Sequence, residues 1–188
     1  MSSGELVVVR HADTDWTASG QHTGHTDLPL NAAGRAAAAR LGPLLAGWSF
    51  AEVWCSPLAR AVQTCELAGF AARASQRALL EEWNYGEYEG LTTDAIKAQR
   101  PAWDLWRDGC PGGEDAAAVG ARADRALAEL PPAGDVLIFS HGHFLRVLTA
   151  RWLRLAATEG ALFVIAPGTI GVLGFEHSNH VIARLGAS

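Results

Sequence analysis

The sequence predicts a three-layer α/β/α sandwich built on a mostly parallel sheet with an antiparallel edge. Three short runs, Leu6-Val7-Val8-Val9, Glu52-Val53-Trp54-Cys55-Ser56 and Val136-Leu137-Ile138-Phe139-Ser140, carry the apolar, β-branched character of strands buried on both faces. Helix-forming stretches separate them, and alternating strands and helices are the mark of an α/β domain. The length of 188 residues suits one compact domain. No linker, internal repeat or low-complexity tract divides the chain, so residues 1–188 are read as one unit.

Taken in order, the first run stops abruptly at Arg10-His11. Asn31 is placed to N-cap an alanine-rich helix reaching Leu45, with Gly47 close behind. The second run ends on Ser56 and feeds directly into a helix over Pro57 to Leu67. Trp103, Trp106 and Gly112-Gly113 mark a less regular insertion, expected to cover one end of the sheet as a substrate-selecting lid. A helix from Glu114 to Leu130 is closed by Pro131-Pro132, and another from Phe144 to Leu155 follows the third run. Ile170 to Phe175 and Val181 to Leu185 flank the turn-rich His177-Ser178-Asn179 and form the antiparallel edge.

Charge excludes some partners. With 15 basic and 20 acidic residues the net charge is −5, so nothing draws the whole chain to nucleic acid or to an anionic membrane, and any phosphate site must be made locally. Cys55, Cys65 and Cys110 are odd in number and never form a C-x-x-C pair, which points to buried free thiols in a reducing compartment. Met1 to Glu5 carry no basic leader, and no stretch approaches the ~20 apolar residues of a membrane span. The protein is expected in the cytoplasm.

Ligands of open α/β sheets gather outside the carboxyl ends of the strands. Those ends supply Arg10-His11, Ser56 with Arg60, and His141. Guanidinium forks from Arg10 and Arg60 and the His141 imidazole suit the equatorial oxygens of a phosphoryl group. His11 is then left as nucleophile, its second ring nitrogen held by a backbone carbonyl. A leaving alkoxide also needs a proton, and Glu81 and Glu82 both stand beside Trp83. A carboxylate near its ordinary ~4.3 would be ionised at neutral pH, so the acid must be raised by the phosphate dianion and an aromatic wall.

Blander readings compete. An R-H dipeptide alone is weak evidence, and Arg60 alone reads as a solvated helix residue; only the combination argues for chemistry. His141 and His143 have a spacing that metal ligation permits, with Asp13, Asp15 or Glu82 completing a shell, but no cysteine joins these clusters and the phosphate reading, which needs no metal or cofactor, is preferred. Glu81, Glu87 and Glu89 read as surface charges and the seven tryptophans as core. His25, His177 and His180 gain no role.

Five segments now bear a specific resemblance. They are Val9-Arg10-His11-Ala12-Asp13-Thr14-Asp15-Trp16, Thr23-Gly24 through Asp27-Leu28-Pro29-Leu30, Ser56-Pro57-Leu58-Ala59-Arg60-Ala61-Val62-Gln63-Thr64, Glu82 to Gly90, and Ser140-His141-Gly142-His143. Together they resemble the histidine phosphatase superfamily, also called phosphoglycerate-mutase-like, over nearly the whole length. The resemblance implies that His11 becomes the phosphohistidine, that Arg10, Arg60 and His141 bind phosphate, and that Glu82, four residues before Gly86, is the proton donor. It further implies substrate contacts from Thr17, His22, Thr23, Gly24, Tyr85, Gly142 and Arg146. Ala12 departs from the usual glycine, and Thr17 stands where asparagine commonly follows the tryptophan.

Within the superfamily, Ser19 to Gly24, Trp83 to Gly90, Trp106 to Cys110 and His141 to Arg146 are similar to the sedoheptulose-1,7-bisphosphatase branch. Arg146 is then expected at the sugar phosphate. The stretch between Arg151 and Gly171 is shorter than in that branch. The expected reaction is hydrolysis of a small phosphorylated metabolite, a sugar phosphate or bisphosphate. A cofactor-dependent phosphoglycerate mutase, a broad acid-type phosphatase and a non-catalytic phosphoprotein-binding module are the alternatives. The mutase reading lacks its paired arginines between Gly90 and Gly112, and a binding module is expected to have lost His11 or Glu82, which are both present. No heptad or apolar patch is readable, so assembly, a homo-oligomer included, is left open.

Overall fold

The computed structural model describes residues 4–187. Met1 to Ser3, which belong to the leader-free reading of the N-terminus, and Ser188 lie outside the described residues. The strands are β1 (Leu6–Arg10), β2 (Phe50–Cys55), β3 (Ala74–Gln76), β4 (Asp135–Ser140), β5 (Ile170–Glu176) and β6 (Asn179–Ala187), ordered β3-β2-β4-β1-β5-β6 in one sheet. From β3 to β1 neighbours run parallel, whereas β5 pairs antiparallel with both β1 and β6. The mostly parallel sheet with an antiparallel edge is therefore as expected.

The helices are α1 (Asp15–Ser19), α2 (Ala32–Ala39), α3 (Leu41–Leu45), α4 (Ala59–Leu67), α5 (Thr93–Gln99), α6 (Leu105–Asp108), α7 (Ala116–Ala128) and α8 (Gly142–Trp152). The period-2 alternation of strand side chains assigns the layers. Leu6, Val8, Val136 and Ile138 pack with Val119 and Ala123 of α7 and Phe144 and Leu148 of α8. Val7, Val9, Leu137 and Phe139 face the other way, onto Leu41 and Leu45 of α3 and Ala61 and Cys65 of α4.

Several boundaries differ from expectation for local reasons. Asn31 does N-cap α2, accepting from the Gly34 N–H at 2.8 Å, but the helix to Leu45 is two helices that part at Arg40. Pro43 has no N–H and crowds the carbonyl four residues back, so it is accommodated in the first turn of a new helix. The second helix begins after Pro57-Leu58. Asp115 caps α7 by accepting from the Ala118 N–H at 2.8 Å, which starts that helix just past Glu114. In α8, Gly142 and His143 join before Phe144. The hairpin turn is only His177-Ser178, with His177 at φ 58°. The insertion around Trp103 is anchored beside the cavity: Trp103 is buried, its Nε1–H donates to the Gly109 carbonyl at 2.9 Å, and the Trp106 ring centroid stands 5.4 Å from that of His143. Among the described residues no helix is long and apolar enough to cross a membrane.

Candidate active site

The carboxyl ends of β1, β2 and β4 bring His11, Ser56 and His141 together, and a cavity of about 280 Å³ opens beside them. His11 follows β1, where its backbone N–H donates to the Ser140 carbonyl at 2.9 Å and locks the turn onto β4. Its Nδ1 lies 2.8 Å from the Ala12 carbonyl oxygen. A carbonyl can only accept, so Nδ1 carries the hydrogen and Nε2 keeps its lone pair while the ring is neutral. Burial, with Arg60 and Arg10 nearby, pushes the ring well below the ordinary imidazole value and favours that neutral form.

His141 follows β4, its ring centroid 5.1 Å from that of His11, and its Nε2 is 2.7 Å from Ser56 Oγ. It too is held well below the imidazole range, by burial first and then by Arg60. The two arginines are not the free forks the sequence suggests. Arg10 Nη1 donates to the Ile165 carbonyl at 2.6 Å. Arg60, fully buried, donates from Nη1 to Thr26 O at 3.1 Å and from Nη2 to Thr23 O at 3.1 Å and Gly24 O at 2.8 Å.

What these groups leave unused is the informative feature. Among the described residues five buried side-chain nitrogens have no partner, and three of them are Arg10 Nε, Arg60 Nε and His141 Nδ1. Buried polar groups are otherwise nearly always paired, so three unpartnered nitrogens contributed by the residues around the His11 imidazole form a donor set suited to an acceptor-rich anion.

Glu82 is buried across the cavity. Oε1 accepts from the N–H groups of Trp83 at 2.9 Å and Phe144 at 2.8 Å, and Oε2 from that of His143 at 3.0 Å. His141 makes no side-chain cap on α8, so Glu82 supplies the missing acceptor at that helix start. The Glu82 carboxylate is thus held by a row of backbone donors, and Tyr85 lines the same cavity. Its loop is braced by Arg122, which donates to the carbonyls of Leu79, Glu81 and Glu82 at 2.9, 2.9 and 3.2 Å and pairs with Glu114 at 2.7 Å. Glu114 Oε2 also accepts from the Asn84 N–H at 2.9 Å.

Of the expected substrate contacts, Thr17, His22, Thr23, Tyr85, Gly142 and Arg146 line the cavity with Arg10, His11 and Glu82. Arg60 and His141 lie behind it, fully buried. Gly24 does not line it. Its N–H donates to Glu89 Oε1 at 2.8 Å, its carbonyl accepts from Arg60, and a Cβ there would stand 2.7 Å from the Trp83 carbonyl oxygen, so its role is to let the loop approach. Glu89 is accordingly no surface charge: the same oxygen also accepts from the Thr26 N–H at 3.1 Å. Glu81 turns to His25 at 3.5 Å, and Glu87 is exposed as expected.

Sequence reasoning missed Trp16, Gln21, Val164 and Ile165 as lining residues and weighed His143 only as a metal ligand. His143 Nδ1 meets the Tyr85 hydroxyl at 2.6 Å, whereas His141 turns to Ser56, so the two imidazoles serve different partners. Among the described residues no three His, Cys, Asp or Glu side chains form a metal shell. Arg146 lies with its guanidinium 4.6 Å from the Trp106 ring centre and donates from Nε to Gly160 O at 3.0 Å.

A family model for the histidine phosphatase superfamily, branch 1, matches residues 6–188. The chain belongs to that superfamily and is an enzyme. This histidine phosphatase is 42% identical over 186 residues to an acid phosphatase of Mycobacterium tuberculosis, covering 96% of this chain and 91% of that one. It is 36% identical to the sedoheptulose 1,7-bisphosphatase of Saccharomyces cerevisiae, covering 92% and 88% respectively. A solved structure of a Mycobacterium tuberculosis open reading frame matches it with a TM-score of 0.93 at 41% identity, covering 98% of each chain. The fold of the histidine phosphatase is that of its superfamily.

Proposed function

We propose that this protein hydrolyses a phosphomonoester through a phosphohistidine formed on His11. The observation that carries the reading is the Nδ1–H to Ala12 O hydrogen bond, which leaves Nε2 as a bare nucleophile in a ring kept neutral by burial and two arginines. In the first step Nε2 bonds to phosphorus, the bond from phosphorus to the ester oxygen breaks, and Glu82 gives that oxygen its proton. In the second step water attacks the phosphohistidine, returns a proton to Glu82 and releases inorganic phosphate with His11 regenerated. Arg10, Arg60 and His141 present their unpartnered N–H groups to the transferring phosphoryl oxygens, the larger part of catalysis in such reactions. Thr17, His22, Thr23, Tyr85, Gly142 and Arg146 contact the rest of the substrate, and Gly24 acts through the loop it shapes.

The substrate we assign is a small phosphorylated metabolite, a sugar phosphate or bisphosphate. A cavity near 280 Å³ sits at the bottom of the ~300–1,000 Å³ range of ordinary ligand sites and disfavours a folded phosphoprotein. Likeness to a sedoheptulose bisphosphatase and to an acid phosphatase supports both the sugar and the hydrolysis. Water is assigned as the final acceptor because neither arginine between Gly90 and Gly112 is free: Arg100 donates to the Tyr88 hydroxyl at 2.7 Å and Arg107 pairs with Asp108 at 2.7 Å. The three free cysteines, all buried, support a reducing, cytoplasmic setting.

The test is phosphate release from a panel of sugar mono- and bisphosphates and 3-phosphoglycerate in the presence of EDTA, comparing the native protein with His11→Ala. Release from a sugar phosphate that disappears in His11→Ala is expected. Conversion of 3-phosphoglycerate to its 2-isomer without release would make it a mutase.

A further inference from the structure

We infer that Ser56 is a positioning residue that fixes the tautomer of His141, so that His141 offers Nδ1–H to the phosphoryl group. This rests on the phosphoryl-transfer reading of the site. Ser56 follows β2, is fully buried, and its Oγ touches two groups among the described residues: the Leu58 N–H at 3.4 Å and His141 Nε2 at 2.7 Å. The Leu58 N–H is itself a donor and cannot receive the hydroxyl hydrogen. His141 Nε2 is the one acceptor left for it.

The alternative tautomer is worse by simple accounting of donors and acceptors. If Nε2 carried the hydrogen and donated to Ser56 Oγ, the serine O–H would be stranded, and so would the bare Nδ1, which is buried with no partner. With Nε2 as acceptor only the Nδ1–H is unsatisfied, and that is a donor a phosphoryl oxygen can accept from. A bare Nδ1 beside His11 would instead set a lone pair against the lone pairs of a phosphoryl oxygen. The serine thus converts a ring that can be donor or acceptor into a fixed donor. It does so without adding charge to a pocket that already holds the fully buried Arg60 and the partly buried Arg10.

Two-bond nitrogen–proton correlation spectra of isotope-labelled histidine, recorded on the full chain at neutral pH and assigned with His141→Gln, report the tautomer directly. The native protein should show His141 protonated at Nδ1 with Nε2 as acceptor. Ser56→Ala should lose that pattern and bind inorganic phosphate or vanadate about tenfold more weakly, the effect of one hydrogen bond to an anion. Ser56→Thr, which keeps the hydroxyl, should restore both. An Nε2–H ring in the native protein, or an unchanged tautomer and unchanged vanadate affinity in a folded Ser56→Ala, would overturn the inference. A native protein with the Nδ1–H ring that binds neither anion would uphold the tautomer and sink the phosphohydrolase reading.

Discussion

His11 and Glu82 were readable because each sits in a contiguous motif at the end of a strand or apolar run, where side-chain type alone suggests chemistry. Arg122 and Glu89 were not. The contacts of Glu89 with Gly24 and Thr26 span 65 and 63 positions, and nothing local in either segment marks a carboxylate as a loop anchor. The same holds for the exact duties of Arg60, whose terminal nitrogens serve three carbonyls that only the folded chain brings together. One substitution separates the acid role proposed for Glu82 from its capping of α8. Glu82→Gln keeps an acceptor for the start of α8 but holds no transferable proton, so turnover should fall by about 10²- to 10⁴-fold while inhibition by phosphate changes little. Steady-state kinetics with a good and a poor leaving group check this; equal loss of turnover and phosphate affinity would reduce Glu82 to a cap.

At the scale of elements, the long buried strands and α7 were legible from period and caps, whereas β3, with three half-buried or exposed residues, and the short α1 have too little pattern to declare themselves. The split between α2 and α3 was signalled by Pro43 and overlooked because alanine content outweighed it. The acid-bearing loop has no regular structure of its own beyond single 3₁₀ turns and is held by α7 through Arg122. Arg122→Ala strands three carbonyls and leaves the Glu114 carboxylate without its cation, and a loss of about 2–3 kcal/mol in a urea melt is expected, with kcat lowered more than KM is raised. An unchanged melt would mean that the loop is held by other contacts.

Across the whole molecule, three imidazoles, His11, His141 and His143, are buried and pushed well below the ordinary value, in each case by burial first. In the unfolded chain they take up protons near pH ~6.5, where the folded protein does not. The unfolded state therefore binds more protons between that pH and the folded values, so the stability present above ~6.5 is lost progressively as the pH falls through this window. Thermal melts from pH 7.5 to 5 should show a falling Tm, and His143→Gln should flatten the slope. A Tm independent of pH over that range would mean that the rings titrate normally.

The pairing of β1 with β4 matches Leu6 to Val136 and Arg10 to Ser140, so the two halves of the candidate site are edge-on neighbours in space and far apart in the order of synthesis. A ribosome that has delivered His11, Ser56, Arg60 and Glu82 has still to make β4 and His141, against which they are assembled. His141, the α8 N–H groups that hold Glu82 and the Ile165 carbonyl that holds Arg10 all come last, so the pocket closes only when the final quarter of the chain has been made.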